Sequence, residues 1–342
     1  MKMVPVQSAI GMVLCHDVTR IVRGQSKGAA FKRGHILREE DLPQLLCMGK
    51  EHIYVWDIGS DSGLLHENEA AARIAGAAAG KHITLSGCSE GRINLIASID
   101  GLLKIDVEAL LEINTGEIVF VSLHTHQKVN KGKVVAGTRV TPLVIEESKV
   151  ELVESICGRH KPLIEVLPFK ALKAGIVTTG SEVYHGRITD QFGPVVREKL
   201  DEFECEVIGQ SFVSDDRGRI VEEIRSFLSQ GAEMIIVTGG MSVDPDDVTP
   251  AAIRDCGARV VTYGAPVLPG SMFMLAYLGD VPVLGLPGCV MYHKTSVFDL
   301  VLPRLLAGEE ITRGDIVGMA HGGLCVNCRE CRYPDCGFGK GT

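Results

Sequence analysis

The stretch VTGGMSVDPDDVTPAAIR, residues 237–254, sets Gly239 and Gly240 directly after an apolar run and Asp244, Asp246 and Asp247 just before a helix-start pattern. Glycines at the end of a strand let a ligand approach the backbone closely, and backbone N–H groups there suit an anion. Neighbouring carboxylates repel that anion and one another unless a cation, a proton or solvent intervenes. Mg²⁺, held by one or two carboxylates together with phosphate oxygens of a ligand, would satisfy both residue types. A solvated acidic loop is the plain alternative.

A second group with chemistry closes the chain. CVNCRECRYPDC places Cys325, Cys328, Cys331 and Cys336 at the spacing C-x₂-C-x₂-C-x₄-C. Thiolates this dense can wrap one metal centre, and a cluster of this kind in a cytosolic chain points to metal before disulfides. Its two C-x₂-C steps are similar to ferredoxin-type iron–sulfur ligation, in which the fourth cysteine precedes a proline; here Pro334 comes before the last cysteine. A four-thiolate Zn²⁺ site is the rival, with His321 near enough in sequence to compete as a ligand. A free or regulatory thiol cluster is the third reading. Cys15, Cys47, Cys88, Cys157, Cys205, Cys256 and Cys289 are scattered among apolar neighbours and read as small buried hydrophobes.

The elements that must position the glycine–aspartate loop follow from the run 171–308. The apolar segments KAGIVTTG, CEVIGQSFV, EMIIVTGG, ARVVTYG and VPVLGLPG alternate with helical patterns in PVVREKLDEFE, DDRGRIVEEIRSFLSQG, TPAAIRDCG and TSVFDLVLPRLLAG. This order predicts an α/β fold of three layers around a parallel or mostly parallel sheet. Ligands in such folds sit beyond the carboxyl ends of the strands. The loops TTG, TGG and LPG leave those ends and are expected on one edge. Thr179, Gly180, Ser181 and Glu182 form the first, Gly270 and Ser271 belong to a further close-approach loop, and Pro287 and Gly288 to the last. Thr249 is expected as an N-cap, with Pro250 in the first turn and Gly257 past the helix end. Asp190 lies before a helix expected to begin near Pro194, and Asp215 and Asp216 read as a cap.

The preceding residues, 1–168, read as a smaller mixed α+β region of one or two domains. It carries β-like runs (HIYVWDI, EIVFVSLH, VTPLVIEE), an alanine-rich helix over 66–80 and a helix started by Glu39, Glu40 and Asp41 and stopped by Gly49. His124 and His126 alternate as on a strand, where they share one face; they could ligate metal or simply face solvent. His293, near the LPG loop, either lines the pocket or covers the sheet. Residues 312–342 form a cysteine-rich tail.

Composition sets the limits. The chain has 342 residues, is 45% hydrophobic and 23% charged, and carries a net charge of −8. That balance argues against a nucleic-acid partner, since phosphate neutralisation needs a basic surface. No apolar run approaches the ~20 residues of a membrane span, and the N-terminus lacks the uninterrupted apolar core of a signal peptide. The cytoplasm, without a membrane partner, is the expected compartment.

From about 172 to 306 the chain resembles the molybdopterin-binding domain shared by molybdopterin molybdotransferases and molybdopterin adenylyltransferases. TTGSEV is similar to the S/T-T-G-D-E-L loop of the former, and ITDQFG to the D-x-x-G loop of the latter. GGMSVDPDDVTPAA begins like the molybdotransferase G-G-x-S-V and ends like the adenylyltransferase D-V-T-P-E-A. Asp247 fills the place of the aspartate that both families share, and LPG at 286–288 resembles L-P-G-N-P. HENEAAARIA is loosely similar to a helix of the molybdotransferase N-terminal domains. The sequence departs at Ser181 (aspartate in the molybdotransferases), at PGSM (for P-G-K-P) and at LPGCV (for L-P-G-N-P); the Asp246-Asp247 pair also resembles the competence-damage-inducible proteins, which act on pyridine nucleotides.

The resemblance implies molybdenum cofactor biosynthesis. It implies binding of adenylylated molybdopterin and insertion of molybdate with Mg²⁺-assisted hydrolysis of the phosphoanhydride, with Asp247 on the metal or anhydride side and Asp190 and Asp246 as supporting acids. Gly180, Gly239, Gly240, Ser242, Gly270, Ser271 and Gly288 would shape the anion cradle. Adenylylation, or a non-catalytic carrier or redox-sensor role, stands as the alternative. The implied partners are the pterin ligand, a molybdoenzyme or cofactor-pathway protein, and further copies of the chain in a homo-oligomer.

Overall fold

The computed structural model describes residues 1–22, 26–55, 63–160 and 162–341. It divides the chain into two units rather than three consecutive regions. One comprises Met1–Ala97, Asp106–Leu123 and Gly132–Glu165; the other comprises Ser98–Ile105, His124–Lys131 and Val166–Thr342. The cysteine tail is thus part of the second unit.

In the first unit, the alanine-rich helix is Glu67–Ala78, and it buries Ala70, Ala71, Ile74, Ala75 and Ala78 on one stripe. Arg73, on its other side, reaches Glu147 at 2.7 Å and both oxygens of Glu154 at 2.8 Å on the helix Glu147–Arg159. An antiparallel four-stranded sheet includes Arg92–Ala97, Ile118–Ser122 and Val134–Val140. Glu39–Asp41 form a 3₁₀ turn leading into the helix Leu42–Cys47, and Gly49 follows with φ +72°. The HIYVWDI run is a strand over His52–Val55, and its remainder lies outside the described residues. No helix among the described residues is long and apolar enough to cross a membrane.

The second unit is built on a six-stranded sheet in the order 206–213, 173–179, 234–238, 281–286, 274–278, 259–263. The first four are mutually parallel. Met274–Leu278, which the sequence pattern does not pick out, is antiparallel to both neighbours. Each central strand is apolar on both faces, as a sheet covered on two sides requires. Met234 and Ile236 face the helices Phe192–Asp201 and Val297–Leu306, while Ile235 and Val237 face Arg217–Ser229 and Thr249–Asp255. Gly175 lets Phe227 close against the sheet, because a Cβ there would meet the Phe227 ring carbon at 2.6 Å. The strand order reverses between 173–179 and 234–238, so their carboxyl ends diverge into a crevice. Thr179 and Gly239 stand at that point.

The scattered cysteines split into three groups: Cys15, Cys157 and Cys205 are buried, Cys256 and Cys289 half-buried, and Cys47 and Cys88 exposed. Burial pushes the thiols of Cys15 and Cys157 up to about 11, as inert core positions require. Cys47 and Cys88, by contrast, are exposed, so apolar sequence neighbours misplaced them. His124 and His126 do not alternate on a strand either. The strand ends at Ser122, and His126 adopts φ +61° in a turn, with Nε2 3.6 Å from Glu309.

Candidate functional site

Two glycines decide the shape of the crevice. Gly239 has φ +87° and Gly240 φ +58°, both in the left-handed region where a side chain is strained. A Cβ on Gly239 would collide with the Thr179 carbonyl, and one on Gly240 would stand 2.7 Å from Thr249 Oγ1. The loop therefore folds back over the neighbouring strand end, an approach only glycine permits.

Buried hydroxyls then tie the loops together. Thr249 Oγ1 donates to the Gly239 carbonyl at 2.9 Å, and Thr179 Oγ1 lies 3.2 Å from Thr249 Oγ1. Thr238 donates to Thr178 at 3.2 Å, and Gln210 Nε2 reaches both Thr178 Oγ1 at 2.9 Å and Asp190 Oδ2 at 2.7 Å. Thr249 thus serves the glycine loop and is not the N-cap; Val248 holds that position. Tyr263 clamps the same loop from outside. Its hydroxyl lies 3.0 Å from the Met241 carbonyl and 3.2 Å from that of Ser242. Burial first, and the Asp247 charge second, raise the phenol above its ordinary pKa, so it remains a donor at neutral pH.

The resulting pocket encloses about 830 Å³. It is lined by Thr179 and Glu182 from the first loop, by Gly239, Gly240 and Ser242 from the second, and by Ser271, Pro287 and Gly288 from the later ones. Gly180, Ser181 and Gly270 are outside the lining. The Ser181 N–H already donates to Asp215 at 2.8 Å, which removes it from an anion cradle. Asp216, as expected of a cap, accepts from the Arg219 N–H.

The aspartates divide in the same way. Asp247 is half-buried and lines the pocket, and Asp244 lines it beside Asp247. Asp246 is exposed and outside the lining. A tight turn separates them: the Asp247 N–H donates to the Asp244 carbonyl, and the Val248 N–H to that of Asp246, each at 3.0 Å. Asp190 borders the pocket, but its carboxylate accepts from Phe192 N at 2.8 Å, Gly193 N at 3.0 Å and Gln210. It holds the start of the helix Phe192–Asp201 and the hydroxyl network, which makes it a positioning group. Sequence reasoning singled out neither Tyr263 nor Met272, and it gave the Asp244 place to Asp246.

The electrostatics of the lining are one-sided. Glu182, Asp190, Asp244 and Asp247 contribute carboxylates, and among the described residues no Lys, Arg or His joins the lining. Among the described residues, Asp244 and Asp247 have no basic partner; the Asp244 N–H reaches Asp247 Oδ2 at only 3.4 Å. No group of three or more His, Cys, Asp or Glu side chains among the described residues is arranged to hold a metal ion by itself. A pair of carboxylates still fits Mg²⁺, which keeps several waters and completes its shell with ligand phosphate oxygens.

Residues 3–57 match a family model described as a domain of unknown function (DUF8806), and residues 175–307 match one described as a probable molybdopterin binding domain. The molybdopterin molybdenumtransferase of Synechococcus elongatus is 27% identical over 190 residues, 53% of this chain and 45% of that protein. A CinA-like protein of Mycolicibacterium vanbaalenii is 37% identical over 90 residues, 26% of this chain and 21% of its own. Among solved structures, the molybdopterin biosynthesis enzyme MoaB of Thermus thermophilus is 22% identical, with 40% of this chain and 98% of that one covered and a TM-score of 0.33. The chain spans less than half the length of these two curated relatives. The segment 175–307, which carries the crevice, is thus similar to the family of probable molybdopterin binding domains.

Proposed function

We propose that this chain acts in molybdenum cofactor biosynthesis, binding adenylylated molybdopterin in the crevice between Thr179 and Gly239 and inserting molybdate as the phosphoanhydride is hydrolysed. The observation that carries this reading is that the charged residues described around the glycine loop are all acidic. A phosphorylated pterin is itself anionic, so it enters such a pocket only with a cation between its phosphates and the carboxylates. A volume of about 830 Å³ lies within the range of small-molecule sites.

Asp247 and Asp244 would hold Mg²⁺. When bound, the ion withdraws charge from the anhydride oxygens. The chain's own residues do the rest. Backbone N–H groups of the glycine loop face the phosphates, the threonine network fixes the distance between loops, and Asp190 keeps its helix start in place. The cysteine tail supplies thiolate ligands to a metal centre, either iron–sulfur or zinc. A cytoplasmic homo-oligomer, handing its product to a molybdoenzyme or a cofactor-pathway protein, is the setting this role implies.

Incubation with adenylylated molybdopterin, molybdate and Mg²⁺ should release AMP in proportion to molybdate consumed. Stoichiometric pterin binding without AMP would replace this reading with that of a carrier. One feature favours the carrier: Ser271 stands in the lining where the resembled P-G-K-P loop has lysine. Tyr263→Phe removes the loop clamp without adding bulk. Its expected effect is about a fivefold loss of pterin affinity, corresponding to one hydrogen bond of about 1 kcal/mol, measured by calorimetric titration. Unchanged affinity would show that the loop holds its shape without the clamp.

A further inference from the structure

The tail is fastened at several points before its cysteines come into play. Leu268 donates to the Gly323 carbonyl and Cys325 to that of Leu268, each at 2.8 Å. The Tyr333 hydroxyl donates to the Asp299 carbonyl at 2.8 Å, and Phe338 is buried in the core. Between these anchors, Cys325, Cys328, Cys331 and Cys336 all line one cavity of about 450 Å³. The opposite wall is the segment Tyr292–Thr295, whose Thr295 Oγ1 lies 3.2 Å from Cys331 Sγ.

Two properties of this cavity select its occupant. Among the described residues its charged lining is wholly basic, with His293, Lys294, Arg329 and Arg332 and no carboxylate. Four thiolates around a metal centre carry net negative charge, which such a lining offsets. In addition, the four cysteines are spread along the lining of one space, and no three of them are arranged to hold a single ion. A zinc ion draws four sulfurs to about 2.3 Å from one centre. In an iron–sulfur cluster the thiolates are shared among different irons, so the ligands stay apart around a bulky core.

We infer that Cys325, Cys328, Cys331 and Cys336 hold an iron–sulfur cluster and not a zinc ion, seated directly beside the pterin pocket. This rests on the thiolate-ligand role given to the tail above. Tyr292 lines both cavities, and Cys289 and Met291, which lead into it, line the pterin pocket. The short helix Cys289–Tyr292 is therefore the common wall, so occupancy of one cavity bears on the shape of the other.

The test is metal analysis of the full chain, purified anaerobically and reconstituted with Fe²⁺ and sulfide. The expected protein is brown, absorbs near about 400 nm, and contains iron and acid-labile sulfide in equal amounts, more than one of each per chain. Cys328→Ser and Cys331→Ser alter exposed residues, so the fold should persist while iron falls at least about fivefold for the loss of one of four ligands. Cys47→Ser, exposed in the other unit, should leave it unchanged. A colourless protein with one zinc per chain would overturn the cluster and keep the thiolate site. Absence of both metals, or iron that persists in the two serine variants, would overturn the thiolate site as well.

Discussion

Replacing Asp247 by Asn should leave pterin binding within about threefold of wild type and reduce Mg²⁺-dependent AMP release by about 100-fold or more, the scale of losing one group that stabilises developing charge. The asparagine keeps the shape of the side chain and removes only its charge. Asp247 has no basic partner among the described residues, so no ion pair is broken and the fold should be indifferent to the change. The neighbouring positions give the contrast. Asp244→Asn should lower turnover too, because Asp244 shares the lining. Asp246→Asn should do almost nothing, because that side chain is exposed and outside the lining. Steady-state AMP release at varied Mg²⁺, with pterin affinity measured separately, separates the three. Full turnover in Asp247→Asn would remove this carboxylate from the mechanism, and a defect confined to Asp246→Asn would reverse the assignment.

That contrast shows where sequence spacing stops being informative. Gly239 and Gly240 stood out because close backbone approach restricts a position to glycine, and the structure supplies the reason in the Thr179 carbonyl and the Thr249 hydroxyl. The alternation of strands and helices over 171–308 was legible because both faces of a covered parallel sheet must be apolar. Which of three aspartates within four residues faces the ligand depends on a turn whose hydrogen bonds leave no mark on composition. Met274–Leu278 escaped notice for another reason: a five-residue apolar run carries no period to tell a strand from a buried helix segment. The union of Ser98–Ile105 and His124–Lys131 with the second unit is a matter of long-range contact, such as Gln127 with Asp335. Local patterns cannot report it. Tyr263 lay 16 residues beyond Asp247 on another strand, and only the fold brings its hydroxyl to the loop.

The second large effect is expected far from the pocket, at Arg304. This side chain lies inside the apolar helix Val297–Leu306, with 6% of it exposed, and is held by Glu309 and Asp315 at 2.7 Å each. Glu309, equally buried, is also paired with Lys104 and lies 3.6 Å from His126. Arg304→Met keeps the apolar stem and removes the countercharge of two carboxylates, so the second unit should lose about 3–5 kcal/mol, the cost of stranding buried charge. Adding Glu309→Gln should recover part of that loss, which a simple packing defect would not allow. Acid titration gives an independent reading. Burial pushes the Glu309 carboxyl upward, but His126, Lys104 and Arg304 together outweigh it and hold it well below the usual range. Asp315 is subject to the same opposition, burial against Arg304 and Thr312, and is lowered to about 2. Carboxyls depressed in the folded state stabilise it fully above their unfolded pKa values of about 4, and that contribution fades as pH falls through the folded ones. Wild-type stability from this network should therefore be level from neutral pH to about pH 5 and drop steeply below about pH 4. In Arg304→Met the drop should be shallower, because the carboxyls no longer start from so low a value. Chemical denaturation of both proteins between those limits measures the two slopes, and parallel slopes would mean that Arg304 does not hold the carboxylates ionised.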